Sequence, residues 1–289
     1  MERANVTKDE IGQIVFVSST EFGFPGLDID IITNLDLSRD VYRAPINFQG
    51  CSAGLRGLAA CDNYCRSNPG RASLLVCLEL NSLMKPENDK ITGMAEVIKL
   101  ALFGDGCAAA VFKNGEGSTS NGSQWVVENY SSRIVDDTKD ALAFFWNNDG
   151  QFDHLISPKL PLIVKHGVYK FVKQMLKEES LCLDDIDAWA VHPGGAKILD
   201  TVQAELCLTD DQMMESFNAL KNYGNMNSAS VWFVLNQILN EEKNMEHIFA
   251  LAFGPGVTIE GVLLKKYTEG SGENAILSRR EFRNHTIGA

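Results

Sequence analysis

Residues 248–253, Ile248-Phe249-Ala250-Leu251-Ala252-Phe253, are apolar at all six positions, and the tight turn Gly254-Pro255-Gly256 follows at once. A strand with one wet face alternates apolar and polar residues, whereas an unbroken apolar run bounded by turn signals fits a strand covered on both faces. The same reading holds for Leu74-Leu75-Val76-Cys77-Leu78. Outward from these two, beta-rich runs at Ile14–Ser18, Arg43–Phe48, Cys107–Phe112, Trp125–Val135, Ala188–Val191 and Val257–Lys265 alternate with helical patterns. Those patterns predict helices over Ser52–Ser67, Ala95–Leu102, Leu160–Glu179, Ala196–Cys207, Asp210–Lys221 and Ser228–Glu242. Alternating strands and helices around buried sheets make an α/β fold.

The 289 residues, 45% hydrophobic and 22% charged, supply enough apolar material for one large domain or two half-size ones. The polar, glycine- and serine-rich stretch 113–124 is the expected divider. It gives an amino-terminal lobe over 1–122, a carboxy-terminal lobe over 123–267 and a polar tail over 268–289. The net charge of −12 argues against nucleic acid and anionic membranes as partners. No run approaches the ~20 apolar residues of a membrane span, and the start lacks a signal-peptide core, so the chain reads as cytoplasmic. The seven cysteines show no metal-type spacing, and no metal or bound cofactor is expected.

Three loops carry residues able to do chemistry. Cys51 follows an extended segment ending in Gln49-Gly50 and opens a helix rich in small residues. A thiol at a helix N-terminus faces unpaired amides and the positive end of the dipole, which lowers its pKa and makes it a nucleophile. A buried structural thiol is the alternative. His192 leaves the strand Ala188–Val191 ahead of Pro193-Gly194-Gly195, at the strand end where open α/β sheets place their sites, although a structural histidine fits as well. Asn225 lies on a glycine-containing turn that feeds a helix, where capping alone could explain it. Together the three residue types suit acyl chemistry: thiolate, imidazole, and an amide donor for an oxyanion.

In order and approximate spacing, GCSAGLRGL (50–58), LFGDGCAAAVF (102–112), HPGGAKIL (192–199), YGNMNSAS (223–230) and FGPGVTIEGVLL (253–264) resemble the type III polyketide synthases, the chalcone synthase superfamily. The resemblance runs from about Ile14 to Leu264. It implies a thiolase-like fold with two related lobes in αβαβα layers, a homodimer, and acyl-CoA starter and malonyl-CoA as substrates. Cys51 would carry the starter as a thioester, with His192 keeping its thiolate populated. His192 and Asn225 would stabilise the enolate left by decarboxylation of malonyl-CoA, and Phe103 would guard the mouth of the coenzyme A tunnel. The Gly254-Pro255 turn would shape the cavity floor, and Ser19 joins the substrate-binding set.

Departures from the family pattern bear on the product. Asp153 stands where plant members place a second gatekeeper phenylalanine, Asn81 and Met84 replace small hydroxyl residues, Asn227 replaces a frequent serine, and Phe24 replaces a methionine that reaches across the dimer. These changes point away from a plant flavonoid and leave a pyrone, resorcinol or phloroglucinol open. The resemblance also aligns residue 1 inside the family's sequence, so an upstream section, with core elements and coenzyme A-gripping basic residues, is expected to be absent. A single-round 3-ketoacyl synthase, a non-catalytic fragment of a condensing enzyme and a Cys/His hydrolase stand as rivals.

Overall fold

A computed structural model describes residues 4–84, 97, 100–114, 124–146, 152–240 and 244–267. Its strands are β1 (Ile11–Ser18), β2 (Tyr42–Asn47), β3 (Ala72–Glu79), β4 (Gly106–Lys113), β5 (Gln124–Ile134), β6 (Leu142–Trp146), β7 (Phe152–Ile156), β8 (Ala188–Val191), β9 (His247–Gly254) and β10 (Thr258–Tyr267). Its helices are α1 (Leu27–Asn34), α2 (Ala53–Ser67), α3 (Leu160–Glu178), α4 (Ala196–Glu205), α5 (Asp210–Tyr223) and α6 (Ser230–Leu239). One sheet has the order β2-β1-β3-β4, the other β5-β10-β9-β8, and β6 pairs with β7 in a hairpin. β1 runs parallel to β2 and β3, as β8 does to β9, while β4 and β10 turn antiparallel to β3 and β9.

The two-sided burial read from the sequence has a physical cause in the layering. In the first sheet Ile14, Phe16, Leu74 and Val76 point outward to a cluster with Ile32 of α1, and Val15, Val17, Leu75 and Cys77 point inward to α2. In the second, Trp189, Val191, Phe249, Leu251 and Phe253 pack outward against α3 and α4, while Ala188, Ala190, Ala250 and Ala252 face inward to α2 and α6. Large residues fill the outer layer, and alanines let the central helices approach the sheet closely. The sequence of layers is α1, sheet, α2 with α6, sheet, α3 with α4: the αβαβα arrangement of a thiolase-like fold.

Several local expectations shift. Helix α1 is absent from the sequence reading because Leu27-Asp28-Ile29-Asp30-Ile31 alternates with period two and imitates a strand; Asp28, 2% exposed, pairs with Arg43 at 2.6 and 3.0 Å. The β6–β7 hairpin is also missing from that reading. The predicted helix Ser52–Ser67 starts as a separate 3₁₀ turn, Gly50–Ser52, and the one predicted from Ser228 starts as the 3₁₀ turn Asn227–Ala229. Residues 97 and 100–102 of the predicted helix Ala95–Leu102 are helical, and its remainder, most of the 113–124 divider and the 268–289 tail lie outside the described residues.

Candidate active site

Cys51 sits in the 3₁₀ turn between β2 and α2 and is 8% exposed. Gly50 reaches this turn with φ +60°, and a Cβ there would stand 2.7 Å from Pro255 Cδ, so both backbone conformation and space exclude a side chain. The Gly254-Pro255 turn predicted to shape the cavity floor is thus packed against the cysteine turn. Ser19 holds the same turn from the other side: its Oγ accepts from Gly50 N at 2.9 Å. Its hydroxyl oxygen is thus engaged with the backbone of the cysteine turn.

The thiol departs from its expected electrostatics. Burial pushes Cys51 up to about 12, with nearby Glu79 adding to the rise and the Asn225 amide opposing it. A 3₁₀ turn inside a closed core gives less dipole stabilisation than the N-terminus of a solvated helix, and desolvation wins. His192, 1% exposed, is pushed the other way, to about 3, by the same burial. Both of its ring nitrogens are buried without a hydrogen-bond partner among the described residues.

Asn225 reaches from the thiol to the turn that follows His192. Its Nδ2 lies 3.7 Å from Cys51 Sγ and 3.5 Å from the carbonyl oxygen of Gly194. Gly194 lies against the imidazole, where an added Cβ would stand 3.3 Å from His192 Cδ2 and 3.5 Å from Nε2. Asn225 Oδ1 also accepts from Asn227 N at 2.9 Å, a local turn contact, while Met226 and Ala229 occupy the cap positions of the two helical elements that follow. Asn225 owes its position to the Phe103 segment: Asn225 N donates to Leu102 O at 2.7 Å, and Gly104 N donates to Asn225 O at 3.1 Å. Phe103 is half-buried at this bridge.

Glu79 is not singled out by the sequence reading. A lone carboxylate closing an otherwise apolar strand is the signal that marks it. It accepts from Ser19 N (3.0 Å), Thr20 Oγ1 (3.1 Å) and Ser228 Oγ (2.5 Å), tying the Ser19–Thr20 loop and the Ser228 turn to the end of β3, and burial pushes it up to about 6. Of the other candidates, Asn227 lies beside Cys51, 3.4 Å from its sulfur, and its Nδ2 donates to Asn81 Oδ1 at 2.7 Å. Phe24 is not gathered with them, its side chain being wholly exposed. The side chains of Met84 and Asp153 lie outside the described residues. Among the described residues there is no group of three His, Cys, Asp or Glu suited to a metal, and no helix long and apolar enough to cross a membrane.

Comparison with known proteins adds lineage to this geometry. The family profile of chalcone and stilbene synthases, N-terminal domain, matches residues 4–116, and that of their C-terminal domain matches residues 127–268. The alpha-pyrone synthesis polyketide synthase-like Pks18 of Mycobacterium tuberculosis is 37% identical over 258 residues, covering 88% of this chain and 65% of that protein. The 3,5-dihydroxyphenylacetyl-CoA synthase of Streptomyces toyocaensis is 29% identical over 272 residues, 92% of this chain and 68% of that one. Among solved structures, PKS-I of the brown alga Ectocarpus siliculosus superposes with a TM-score of 0.85 at 34% identity, over 92% of this chain and 71% of that one. The 1,3,6,8-tetrahydroxynaphthalene synthase of Streptomyces coelicolor A3(2) gives 0.83 at 27%, over 92% and 74%. The chain thus spans about two thirds to three quarters of the length of these proteins.

Proposed function

The chain belongs to the chalcone and stilbene synthase family, the type III polyketide synthases, and from that premise we propose that it is an acyltransferase that condenses malonyl-CoA iteratively onto an acyl starter held on Cys51. The observation that carries the proposal is Asn225, whose amide spans the cysteine and the turn behind an imidazole with two unpartnered nitrogens. Loading begins as the Cys51 proton passes to His192 while Sγ bonds the starter carbonyl carbon, and the C–S bond to coenzyme A breaks. The coenzyme A thiolate leaves with the proton held on His192.

Malonyl-CoA then binds with its thioester oxygen toward Asn225 Nδ2 and His192 Nε2. Cleavage of the bond to its carboxylate releases CO₂ and leaves the electron pair as an enolate, which these two donors stabilise. The enolate carbon attacks the acyl carbon on Cys51, the C–Sγ bond breaks, and the chain, longer by two carbons, sits on coenzyme A ready for another round. Phe103, fixed by its bridge to Asn225, borders this reaction space and disfavours a hydrated free carboxylate there.

An alkyl or simple-acyl starter closing to a pyrone, resorcinol or phloroglucinol is the product class that the departures at Asn81, Met84, Asp153 and Asn227 leave open. A homodimer is part of the proposal: Phe24 is 100% exposed, and the stacked pair Phe22 and Phe48, centroids 5.8 Å apart, is largely exposed beside it. Seven free cysteines fit a reducing, cytoplasmic setting. The test incubates the protein with a panel of acyl-CoA starters and labelled malonyl-CoA and reads products by mass. Products carrying two or more malonyl-derived units support the proposal; a linear single-extension thioester would mark a 3-ketoacyl synthase instead.

A further inference from the structure

Cys51 is gripped on both sides by one turn far along the chain. Its predecessor Gly50 lies against the Pro255 ring, and its successor Ser52, 2% exposed, meets the start of β10, with Oγ 3.2 Å from Thr258 Oγ1. Ser52 Oγ also donates to the carbonyl oxygen of Gln49 at 3.2 Å. A hydroxyl has one proton and a backbone carbonyl only accepts, so Thr258 is the donor in the bond between the two hydroxyls. Gly254 makes room for this pair: an added Cβ there would overlap Ser52 Oγ and stand 2.6 Å from Thr258 Oγ1. The turn is held in a costly conformation, since Val257, β-branched and fully buried, has φ +38°. Val257 O accepts from Val135 N at 2.9 Å and Gly256 N donates to Leu142 O at 2.8 Å, so bonds to the two ends of the β5–β6 connection keep it there.

A second rung supports the same register. Arg56 lies one helical turn beyond Ser52 on α2, and Glu260 lies two residues beyond Thr258 on β10, so each pair shares a face. Arg56 Nε is 3.2 Å from Glu260 Oε1, to which Ser132 Oγ also donates at 2.6 Å. We propose that the 254–258 turn is a clamp on the nucleophile, with Ser52 and Thr258 as positioning residues that act through Cys51. This rests on the proposed acyl-carrier role of Cys51. Attack on a thioester needs sulfur aligned with the carbonyl carbon, and ~1 Å of misplacement costs on the order of 100-fold. With both flanking residues committed to the turn, Sγ is kept 3.4 Å from Asn227 Oδ1 and 3.7 Å from Asn225 Nδ2. Decarboxylation of malonyl-CoA uses the Asn225 amide and the His192 imidazole, neither of which the Ser52–Thr258 bond holds. The clamp therefore bears on acyl loading and leaves enolate formation alone.

The experiment compares two rates in each variant: acyl loading, read by intact-protein mass after rapid mixing with an acyl-CoA, and release of labelled CO₂ from malonyl-CoA. Ser52→Ala removes the acceptor, and Thr258→Val keeps the side-chain shape while removing the donor. Both are expected to load on the order of tenfold more slowly, with KM for the acyl-CoA and the rate of CO₂ release each within about twofold of wild type. Thr258→Ser, which keeps the hydroxyl, should restore loading. The double variant Ser52→Ala/Thr258→Val should be no slower than the slower single one, since both lose the same bond. Equal slowing of loading and CO₂ release would mark a general structural role and overturn the clamp, as would wild-type loading in both single variants. A wild-type protein that takes up no acyl group would sink the proposed function instead, and crystal structures of the two single variants then decide the clamp. Movement of Cys51 Sγ by about 1 Å from its place beside Asn227 Oδ1 supports it, and an unmoved sulfur overturns it.

Discussion

A single methyl group at Gly104 should separate the cost of disturbing the site from the cost of disturbing the core. An added Cβ there would stand 2.5 Å from the carbonyl oxygen of Tyr223, whereas ordinary contact begins near 3.4 Å. The 102–104 segment must therefore recede by about 0.9 Å, since a backbone oxygen cannot rotate away as a side-chain tip does. The same segment holds Asn225 through bonds of 2.7 and 3.1 Å, which that displacement carries beyond 3.5 Å. Two backbone bonds at ~0.5–1.5 kcal/mol each come to about 2 kcal/mol, or a Tm lower by about 4–8 °C. The larger effect falls on chemistry: a 1 Å misplacement of the Asn225 amide costs on the order of 100-fold in condensation rate. Gly57→Ala is the matched comparison. Its Cβ also meets an atom at 2.5 Å, but that atom is the Leu75 Cδ1 methyl in the core. It should lower Tm and leave the rate of the folded enzyme within about threefold. Gly23→Ala, with nothing within 4 Å, should match wild type. Melting curves and initial rates of malonyl incorporation read all three. Gly104→Ala with a wild-type rate would refute the claim that this bridge positions Asn225.

Three further expectations follow from the same geometry. Glu79 is protonated more readily folded, at about 6, than at its ordinary 4.5, so the native state binds the extra proton between those values. Its contribution therefore falls as pH rises from about 4.5 to 6, by about 2 kcal/mol, and the difference in urea stability between wild type and Glu79→Gln should carry that slope; a pH-independent difference would contradict it. His192→Ala removes one of the two enolate donors and should reduce malonyl-CoA decarboxylation ~10²–10³-fold, measured by release of labelled CO₂, and a near-normal rate would remove His192 from that step. Phe24→Ser should weaken self-association in analytical ultracentrifugation without lowering Tm, because its side chain touches nothing in its own chain; an unchanged association constant would place the dimer contact elsewhere.

The sheets were legible in the sequence because their strands are buried on both faces, and a fully apolar run such as Ile248–Phe253 admits few other readings. Helix α1 was not, since its aspartates and isoleucines alternate, and only the distant Arg43 explains how Asp28 can be buried. At the site, Cys51, Asn225 and the turn after His192 converge as their motifs suggested. The state of the thiol was beyond local reading: a dipole argument uses neighbours in sequence, whereas the burial that dominates arises in the folded chain, where Asn225 and Asn227 are brought to the sulfur. Ser19 shows the same limit. Its role as the acceptor for Gly50 N required the two loops to be seen together.

The central claim is that Cys51 carries the acyl chain, and intact-protein mass spectrometry after brief mixing with an acyl-CoA tests it most directly. The wild-type protein should gain the mass of one acyl group, mapped to the peptide containing Cys51 and lost on adding hydroxylamine. Cys51→Ala should gain nothing, yet still release labelled CO₂ from malonyl-CoA through His192 and Asn225. An acyl adduct of equal yield in Cys51→Ala, or one mapped to another cysteine in the wild type, would contradict the account.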